Sequence, residues 1–451
     1  MDPPNKQEIA HLRGVQTRFR DLTDASPVRK TILRHIDVAA KESSLGIYTL
    51  TLLIHKRMLQ IAKEQSGAIM NSLLNCQRDL FVIPENICYM NCSYMSPMLK
   101  TVEQAGIDGI RLRHEPWNIK PPAFFEPAET VRNLFARIVK GDPDGVALIP
   151  SVSYGIGIAA ANLPLAAGEN IVILKEQFPS NVYPWEVLSA TVGADLRRVP
   201  YPEDENLTDA LLTKIDGKTA IVSVPEIHWI RGAKIDLTKI REKTRSVGAA
   251  LVVDLSQSLG AASFDYTRVQ PDFLVTTGYK GLLGAYGLCY LHIAPQWREG
   301  IPLEQGWLNR EKSDDFAHLT EYQSAYREGA RRYDYGERAN PVLLGMAIPA
   351  LEQLLEWGMD RVTAYNKSLV HHIMEKAEEK GFSHTAAAHC ADNMMGVILP
   401  EGVSSELPAA LQEESVYVNV RGNSIRLAPH VYNHKEEVDR LFEVLPRYIQ
   451  S

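Results

Sequence analysis

Five short apolar runs, separated by longer stretches with helical patterning, constrain the fold of this chain more than any other feature of its sequence. They predict buried strands at 146–150, 170–174, 219–224, 250–254 and 272–276. Continuous apolar strands that alternate with helices are typical of a mainly parallel sheet covered on both faces. Because such sheets bind ligands beyond the carboxyl ends of their strands, functional residues are expected directly after each run.

The 451 residues are expected to form three regions. Residues 1–78 are charged and helical in pattern, which predicts an N-terminal helical extension. Residues 79–340 hold the five apolar runs and are predicted to form the large domain, and 341–451 a smaller C-terminal α/β domain. Within the small domain, the pattern predicts three strands and a closing helix, at 394–399, 416–420, 425–427 and 435–448.

Charge, hydropathy and cysteine usage narrow the function classes. A formal net charge of −7 without a basic stripe argues against nucleic-acid binding. The apolar run at 47–54 is well short of the roughly 20 residues that a membrane-spanning helix needs, so no membrane association is expected. The five cysteines are scattered and lack the spacing of a zinc site. We therefore expect reduced thiols, no metal and a cytoplasmic location.

An acid and a lysine follow two of the predicted strands. Asp254 ends one strand, where an acid is costly unless it meets a cation or caps a helix. Lys280 follows another strand end and precedes the glycine-rich segment 281–287, whereas most lysines are solvated surface charges. Pyridoxal 5′-phosphate (PLP) needs such a pair, because an amine attaches its aldehyde and moves protons, and a carboxylate keeps its pyridine nitrogen protonated. We therefore predict a PLP site, with Gln257 in reach of the ring oxygen.

Five motifs follow one another along the chain near the predicted strand ends. They are Ser-Val-Ser-Tyr-Gly at 151–155, the aromatic loop 176–185, Asp-x-x-Gln at 254–257, Thr-Gly-Tyr-Lys at 277–280 and the arginine-containing segment 420–432. Together they resemble the class V aminotransferase family of PLP enzymes, which includes cysteine desulfurases, kynureninases and isopenicillin N epimerase-like proteins. The resemblance runs from about residue 79 onward. It implies the α/β PLP-dependent transferase fold (aspartate aminotransferase-like, fold type I), with a mainly parallel central sheet and a smaller C-terminal α/β domain.

The resemblance also implies a role for each motif residue. Lys280 would be the Schiff-base lysine and Asp254 the partner of the pyridine nitrogen. The other implied contacts are Gln257 and His228 at the ring oxygen, Phe178 on the ring face, Val152, Ser153, Thr277 and Tyr279 at the phosphate, and Arg426 at the substrate carboxylate. Arg421 is the alternative carboxylate ligand, and core packing is the ordinary alternative for Phe178 and His228.

PLP alone does not fix the reaction. Desulfurases of this family take up sulfur on a mobile cysteine, whereas the corresponding segment 421–429 contains no cysteine. The sequence therefore favours an aminotransferase-like enzyme that acts on the amino group of a small α-amino acid. A C–S (β-elimination) lyase or an epimerase without a persulfide cysteine stays open, as does a non-catalytic binding subunit. The resemblance further implies a homodimer, in which the segment 329–340 reaches the partner's phosphate.

Overall fold

The computed structural model describes residues 74–400 and 406–449, so the predicted helical extension lies, up to residue 73, outside the described part. The strands are β1 Cys88–Tyr89, β2 Val146–Ile149, β3 Asn170–Leu174, β4 Asp195–Val199, β5 Thr219–Pro225, β6 Ala250–Asp254, β7 Phe273–Thr277, β8 Cys289–Ile293, β9 Ser383–His384, β10 Met395–Ile398, β11 Val416–Tyr417, β12 Asn419–Arg421 and β13 Ser424–Leu427. The α-helices are α1 Lys100–Arg111, α2 Glu126–Val139, α3 Val152–Asn162, α4 Tyr183–Val192, α5 Leu207–Leu212, α6 Leu237–Val247, α7 Tyr266–Val269, α8 Pro341–Trp357, α9 Met359–Glu379, α10 Leu407–Glu413 and α11 Lys435–Val444. Within these residues, no helix combines the length and apolar character needed to cross a membrane.

A seven-stranded sheet organises the larger part of the described chain, in the order β2-β8-β7-β6-β5-β3-β4. All five predicted buried strands are present, as β2, β3, β5, β6 and β7. The strands from β7 to β4 pair in parallel, whereas β8 is antiparallel to both of its neighbours. The prediction of a mainly parallel sheet is therefore confirmed.

Both faces of this sheet are buried, as the continuous apolar runs require. In β6, Leu251 and Val253 pack into one hydrophobic cluster, and Val252 between them packs into a second cluster on the opposite face. All three side chains are fully buried. Since each such aliphatic side chain contributes roughly 1.5–3 kcal/mol when it leaves water, the two clusters fix the register of the strands.

Two strands of this sheet, β4 and β8, are missing from the sequence-based prediction. β4 is an edge strand with the polar sequence Asp-Leu-Arg-Arg-Val. Its Arg197 forms an ion pair with Asp216 at 2.7 Å, and Arg198 pairs with Glu186 at 2.5 Å. Because its partly exposed faces carry charges, β4 lacks the apolar signal that marks the central strands.

A second, antiparallel sheet lies in the C-terminal region, in the order β12-β13-β10-β9. The strands predicted at 394–399 and 425–427 are present as β10 and β13, and the closing helix is α11 followed by a 3-10 turn at Leu445–Tyr448. The strand predicted at 416–420 is two strands. β11 pairs in parallel with β1, whereas β12 pairs with β13, so the interruption at Val418 lets the chain change partners.

The segment around β1 hydrogen-bonds with the C-terminal region. The Gln77 amide donates to the Val431 carbonyl at 2.7 Å, and the Cys92 amide donates to the Ala428 carbonyl at 3.0 Å. The expected boundary at residue 340 coincides with the N-cap of α8, where the Asn340 side chain accepts from two helix amides. The division into three regions itself stays a prediction.

Two glycines allow the loops after β6 and β7 to cross in close contact. Gly260 has a φ of +90°, and a Cβ there would collide with the carbonyl group of Gly281. A Cβ on Gly281 would in turn lie 2.7 Å from the Ala261 nitrogen. Because Gly281 directly follows Lys280, this crossing fixes the loop that carries the lysine.

The crossing predicts an unequal cost of two glycine substitutions. Gly248 also has a positive φ, +77°, but a Cβ there meets no atom within 4 Å. Gly248→Ala should therefore cost only the backbone strain of about 1 kcal/mol. Gly260→Ala adds a backbone collision and should lower the free energy of unfolding by at least about 3 kcal/mol, measured by urea denaturation. Equal losses for the two variants would contradict the close crossing.

Candidate active site

The predicted cofactor residues all lie at or directly after the carboxyl ends of strands in the central sheet. Asp254 is the last residue of β6, and Thr277 is the last residue of β7. The segments after β2, β3 and β5 carry the remaining residues of this set. Since these five strands run in the same direction, their carboxyl ends meet at one edge, where open α/β sheets bind ligands.

Lys280 is a buried amine without a hydrogen-bond or ion-pair partner among the described residues. Its side chain is only 8% exposed. Its Nζ lies 5.7 Å from the centroid of the Phe178 ring and 5.8 Å from that of Tyr279. Burial lowers the pKa of Lys280 to about 8, although the nearby Asp254 carboxylate opposes this shift. The neutral, nucleophilic amine is therefore the minor form near physiological pH, but it is far more populated than in an ordinary lysine.

Asp254 is a buried carboxylate, with 6% of its surface exposed. Its Oδ1 accepts from the Ser256 amide at 2.9 Å. Burial raises the pKa of Asp254, and hydrogen bonds from Ser256 and the charge of Lys280 counteract that rise. The charges of the acid and the lysine thus affect each other's pKa within one desolvated site.

Two buried polar atoms beside this pair have no partner within the described residues. They are Oε1 of Gln257 and Oγ1 of Thr277. Buried polar atoms are rarely left without a hydrogen bond, so both atoms point to a polar ligand. Nε2 of Gln257 contacts the Ser93 carbonyl at 3.4 Å, a long hydrogen bond.

The start of α3 provides donors at the same edge of the sheet. Ser151 is the N-cap, and its Oγ accepts from the Tyr154 amide at 3.2 Å and lies 2.9 Å from Oγ of Ser153. The amides of Val152 and Ser153 occupy the first two helical positions, which have no partner within the helix. Together with the helix dipole they suit a phosphate.

The residues of the site fit PLP. A buried lysine amine with a lowered pKa, a buried carboxylate, two unpartnered buried oxygens and a helix N-terminus match its aldehyde, pyridine nitrogen, ring oxygen and phosphate in chemical type. The assignment of each residue to a particular cofactor atom stays a prediction.

Phe178 and Trp229 form an aromatic wall beside Lys280. Phe178 is 40% exposed, so part of its ring is accessible to a ligand. Trp229 packs edge-on against it, with the ring centroids 5.5 Å apart, and its Nε1 donates to the Glu176 carbonyl at 2.7 Å. Sequence reasoning missed Trp229, although a tryptophan directly after a predicted strand end was a usable signal.

Arg426 is a buried cation without an acidic partner. It is 3% exposed, its Nη1 donates to the Trp229 carbonyl at 3.0 Å, and its Nε has no partner. It forms no ion pair within the described residues, and desolvation lowers its pKa to about 10, with a contribution from Arg421. Since a buried guanidinium is costly unless an anion neutralises it, Arg426 is suited to bind an anionic ligand.

His228 and Tyr279 have environments that differ from each other. The His228 ring lies 5.0 Å from the ring of Tyr201, and its Nδ1 accepts from the Arg231 amide at 3.4 Å. Burial lowers the pKa of His228 to about 4, so the ring is neutral at physiological pH. The ring of Tyr279 packs against that of Tyr286, with the centroids 4.6 Å apart. Burial raises the pKa of Tyr279 to about 12. Their predicted cofactor contacts stay predictions.

The arginines of the segment 329–340 are mostly held within the chain. Arg331 pairs with Glu129 at 2.7 Å and with Asp144 at 2.9 Å. Arg338 pairs with Asp334 at 2.7 Å. Arg332 donates to the Gly300 carbonyl at 3.3 Å and lies over the Tyr326 ring. Arg331 and Arg338 therefore already have acidic partners within the chain.

Two buried cysteines near Lys280 were not predicted as part of the site. The thiols of Cys92 and Cys289 both lie within electrostatic reach of the lysine. Burial raises the pKa of each to about 12. Both are therefore protonated at neutral pH, and they act as packing rather than as nucleophiles.

The family assignment follows from comparison with known proteins. The family model described as "Aminotransferase class-V" matches residues 123–441. The chain belongs to this family and is a PLP-dependent enzyme, as its sequence motifs predict.

Individual relatives are named for different activities. An uncharacterized aminotransferase of Bacillus subtilis is 30% identical over 315 residues, which cover 69% of this chain and 81% of the relative. A cysteine desulfurase of Shigella sonnei is 25% identical, and the aligned residues cover 68% of this chain and 76% of the relative. Isopenicillin N epimerase of Streptomyces clavuligerus is 23% identical, and the aligned residues cover 70% of this chain and 82% of the relative. The family thus includes more than one reaction.

Solved structures agree on the fold. A cysteine desulfurase from Thermococcus onnurineus superposes with a TM-score of 0.72 at 19% identity, covering 84% of this chain and 99% of the other. A cystine C–S lyase superposes with a TM-score of 0.73, also at 19% identity, and the superposition covers 81% of this chain and 98% of the lyase chain. The predicted PLP-dependent transferase fold is confirmed.

The lowered pKa of Lys280 predicts the pH dependence of cofactor attachment. Only the neutral amine adds to an aldehyde, so a pKa of about 8 places the rise in rate near pH 8. An unperturbed lysine would place it near about pH 10.4. Cofactor-free protein mixed with PLP, and trapped with borohydride at successive times, gives the rate at each pH. A midpoint above pH 10 would contradict the desolvated amine.

Proposed function

We propose that this enzyme acts on the amino group of a small α-amino acid, as an aminotransferase does. The observation that carries the proposal is the unpaired, buried Arg426 in electrostatic contact with Lys280. An α-amino acid brings a carboxylate for the guanidinium and an amino group toward the lysine. A simple amine would leave the buried guanidinium without an anion.

The proposed roles follow from the environment of each residue. When bound, PLP draws electrons from the substrate Cα and so weakens the bonds at that carbon. Lys280 would attach the cofactor and hold or move the proton at Cα, because its lowered pKa lets it exchange protons near neutral pH. Asp254 would remain ionised against a protonated ring nitrogen, and the accessible part of Phe178 would cover the ring.

The polar atoms around this pair would position the cofactor. The unpartnered Oε1 of Gln257 could accept a hydrogen bond from a protonated ring oxygen, and the Thr277 hydroxyl could donate one to the phosphate. The amides of Val152 and Ser153 would add donors to the phosphate at the start of α3. Tyr279 and His228 are proposed as supporting contacts.

The thiols of the chain support amino transfer over persulfide chemistry. Cys390 is held against the Ala391 and Met394 carbonyls, and burial raises its pKa to about 12. A protonated thiol is a poor sulfur acceptor. The name of the Bacillus subtilis relative, an uncharacterized aminotransferase, also favours amino transfer. The name of the Streptomyces clavuligerus relative keeps epimerisation as the second candidate, and C–S elimination is the third.

A screen of PLP-loaded protein against single amino acids tests the proposal. Binding is read from the absorbance of the bound cofactor, and products separate the candidates. Amino transfer needs an added keto acid and releases no ammonia, elimination releases ammonia, and epimerisation inverts the configuration at Cα. Activity with simple amines but not with α-amino acids would overturn the proposal.

We also propose a homodimer in the cytoplasm. All five cysteines lie in the described residues and are free, which supports a reducing compartment. Arg332 is the arginine of the segment 329–340 that lacks an ion pair within the described residues, so it is the one best placed to serve a partner's site. A monomer in light scattering, with activity retained, would argue against the dimer.

Substitution of Arg426 gives a direct test of carboxylate binding. Arg426→Lys keeps the charge but loses the two-pronged geometry of the guanidinium. The apparent affinity for alanine, measured by absorbance titration, should fall at least tenfold, about 1.4 kcal/mol. Arg137→Lys, on the exposed surface of α2, serves as the control. If Arg421→Lys caused this loss and Arg426→Lys did not, the carboxylate would belong to Arg421.

A further inference from the structure

Arg426 and two further arginines, Arg421 and Arg231, lie on one face of the C-terminal sheet. β12 and β13 pair antiparallel with Arg421 opposite Ser424 and Asn419 opposite Arg426. Paired residues share a face, and so do alternate residues of one strand, so Arg421 and Arg426 project from the same face.

The third arginine is brought to this face by the loop after β5. Gly396 of β10 pairs with Arg426, and a Cβ on Gly396 would lie 3.0 Å from Cα of Arg231. The backbone of Arg231 therefore covers the face from which Arg426 projects. Nη2 of Arg231 reaches Oδ1 of Asn423, in the turn between β12 and β13, at 3.4 Å.

None of the three arginines forms an ion pair within the described residues. The nearby Glu205 accepts from the Ala386 amide at 2.6 Å instead. Arg231 lies over the ring of Tyr201, 5.1 Å from its centroid. The like charge of Arg421 contributes to the lowered pKa of Arg426, so their repulsion is not relieved.

The single carboxylate of a simple α-amino acid would pair with Arg426 and leave Arg421 without an anion. We infer that the substrate carries a second acidic group on its side chain, and that Arg421 recognises it while Arg426 holds the α-carboxylate. Arg421 is only partly buried, and one of its nitrogens donates to the Val420 carbonyl at 3.0 Å, whereas its other donors have no partner among the described residues. Arg231 adds positive charge at the rim of the same face.

This inference rests on the proposed action on α-amino acids. PLP-loaded protein is titrated with two isosteric pairs, aspartate against asparagine and glutamate against glutamine, with alanine as a reference. At least one acid should bind tenfold or more tightly than its amide. Arg421→Gln should bring that ratio to within threefold of one, and Arg421→Glu should reverse it. The surface variant Arg137→Gln should retain the wild-type ratio.

The possible outcomes separate the two proposals. If alanine, acids and amides all bind with similar affinity, the second acidic group is wrong and the proposed function stands. If the acid preference persists in Arg421→Gln and in Arg231→Gln, these arginines do not bind the acidic group of the substrate side chain, and the inference is wrong. If no amino acid changes the absorbance, the proposed function falls, and the inference falls with it. Since the wild-type ratio alone can overturn the inference, a misfolded variant does not block the test.

Discussion

Burial of an amine and a carboxylate within electrostatic reach of each other is the constraint on which the rest of this site depends. Lys280 and Asp254 are both nearly excluded from water, and neither forms an ion pair within the described residues. Desolvation favours the neutral form of each group, whereas their mutual attraction favours the charged forms. The resulting balance leaves an amine that can both react with an aldehyde and carry a proton near neutral pH.

The fold maintains this pair with two local devices. The crossing of Gly260 and Gly281 holds the loops after β6 and β7 in backbone contact, which permits no side chain at either glycine. Trp229 then connects the loops after β3 and β5 to the C-terminal sheet. Its ring contacts Phe178, and its carbonyl accepts a hydrogen bond from Arg426 of β13. The proposed cofactor contact Phe178 and the proposed substrate ligand Arg426 are thus joined through one tryptophan.

Much of this arrangement could be predicted from the sequence, for physical reasons that also explain the omissions. Strands buried on both faces, such as β6, are continuous apolar runs, and the polar residues that follow them stand out. The edge strand β4 carries Arg197 and Arg198 on partly solvated faces, and β8 follows β7 without an intervening helix. Neither matches the pattern of a buried strand preceded by a helix.

Contacts between distant segments could not be predicted in this way. The pairing of β1 with β11 joins residues more than 300 positions apart, and two-residue strands carry no periodicity. Likewise, the sequence marks Arg426 and Arg421 as candidate carboxylate ligands. It does not reveal that no acid compensates them or that Arg231 lies on the same face. Both facts depend on tertiary packing, which cannot be inferred from the residues that neighbour these arginines in the sequence.

The central claim is that Lys280 carries the cofactor, and covalent mapping tests it most directly. Protein loaded with PLP is reduced with borohydride, digested, and analysed by mass spectrometry for the pyridoxyl group. The site described here predicts that the label lies on Lys280 and that Lys280→Ala removes it, while cofactor still binds without a covalent bond. Stoichiometric label on another lysine of the wild-type protein would contradict the assignment.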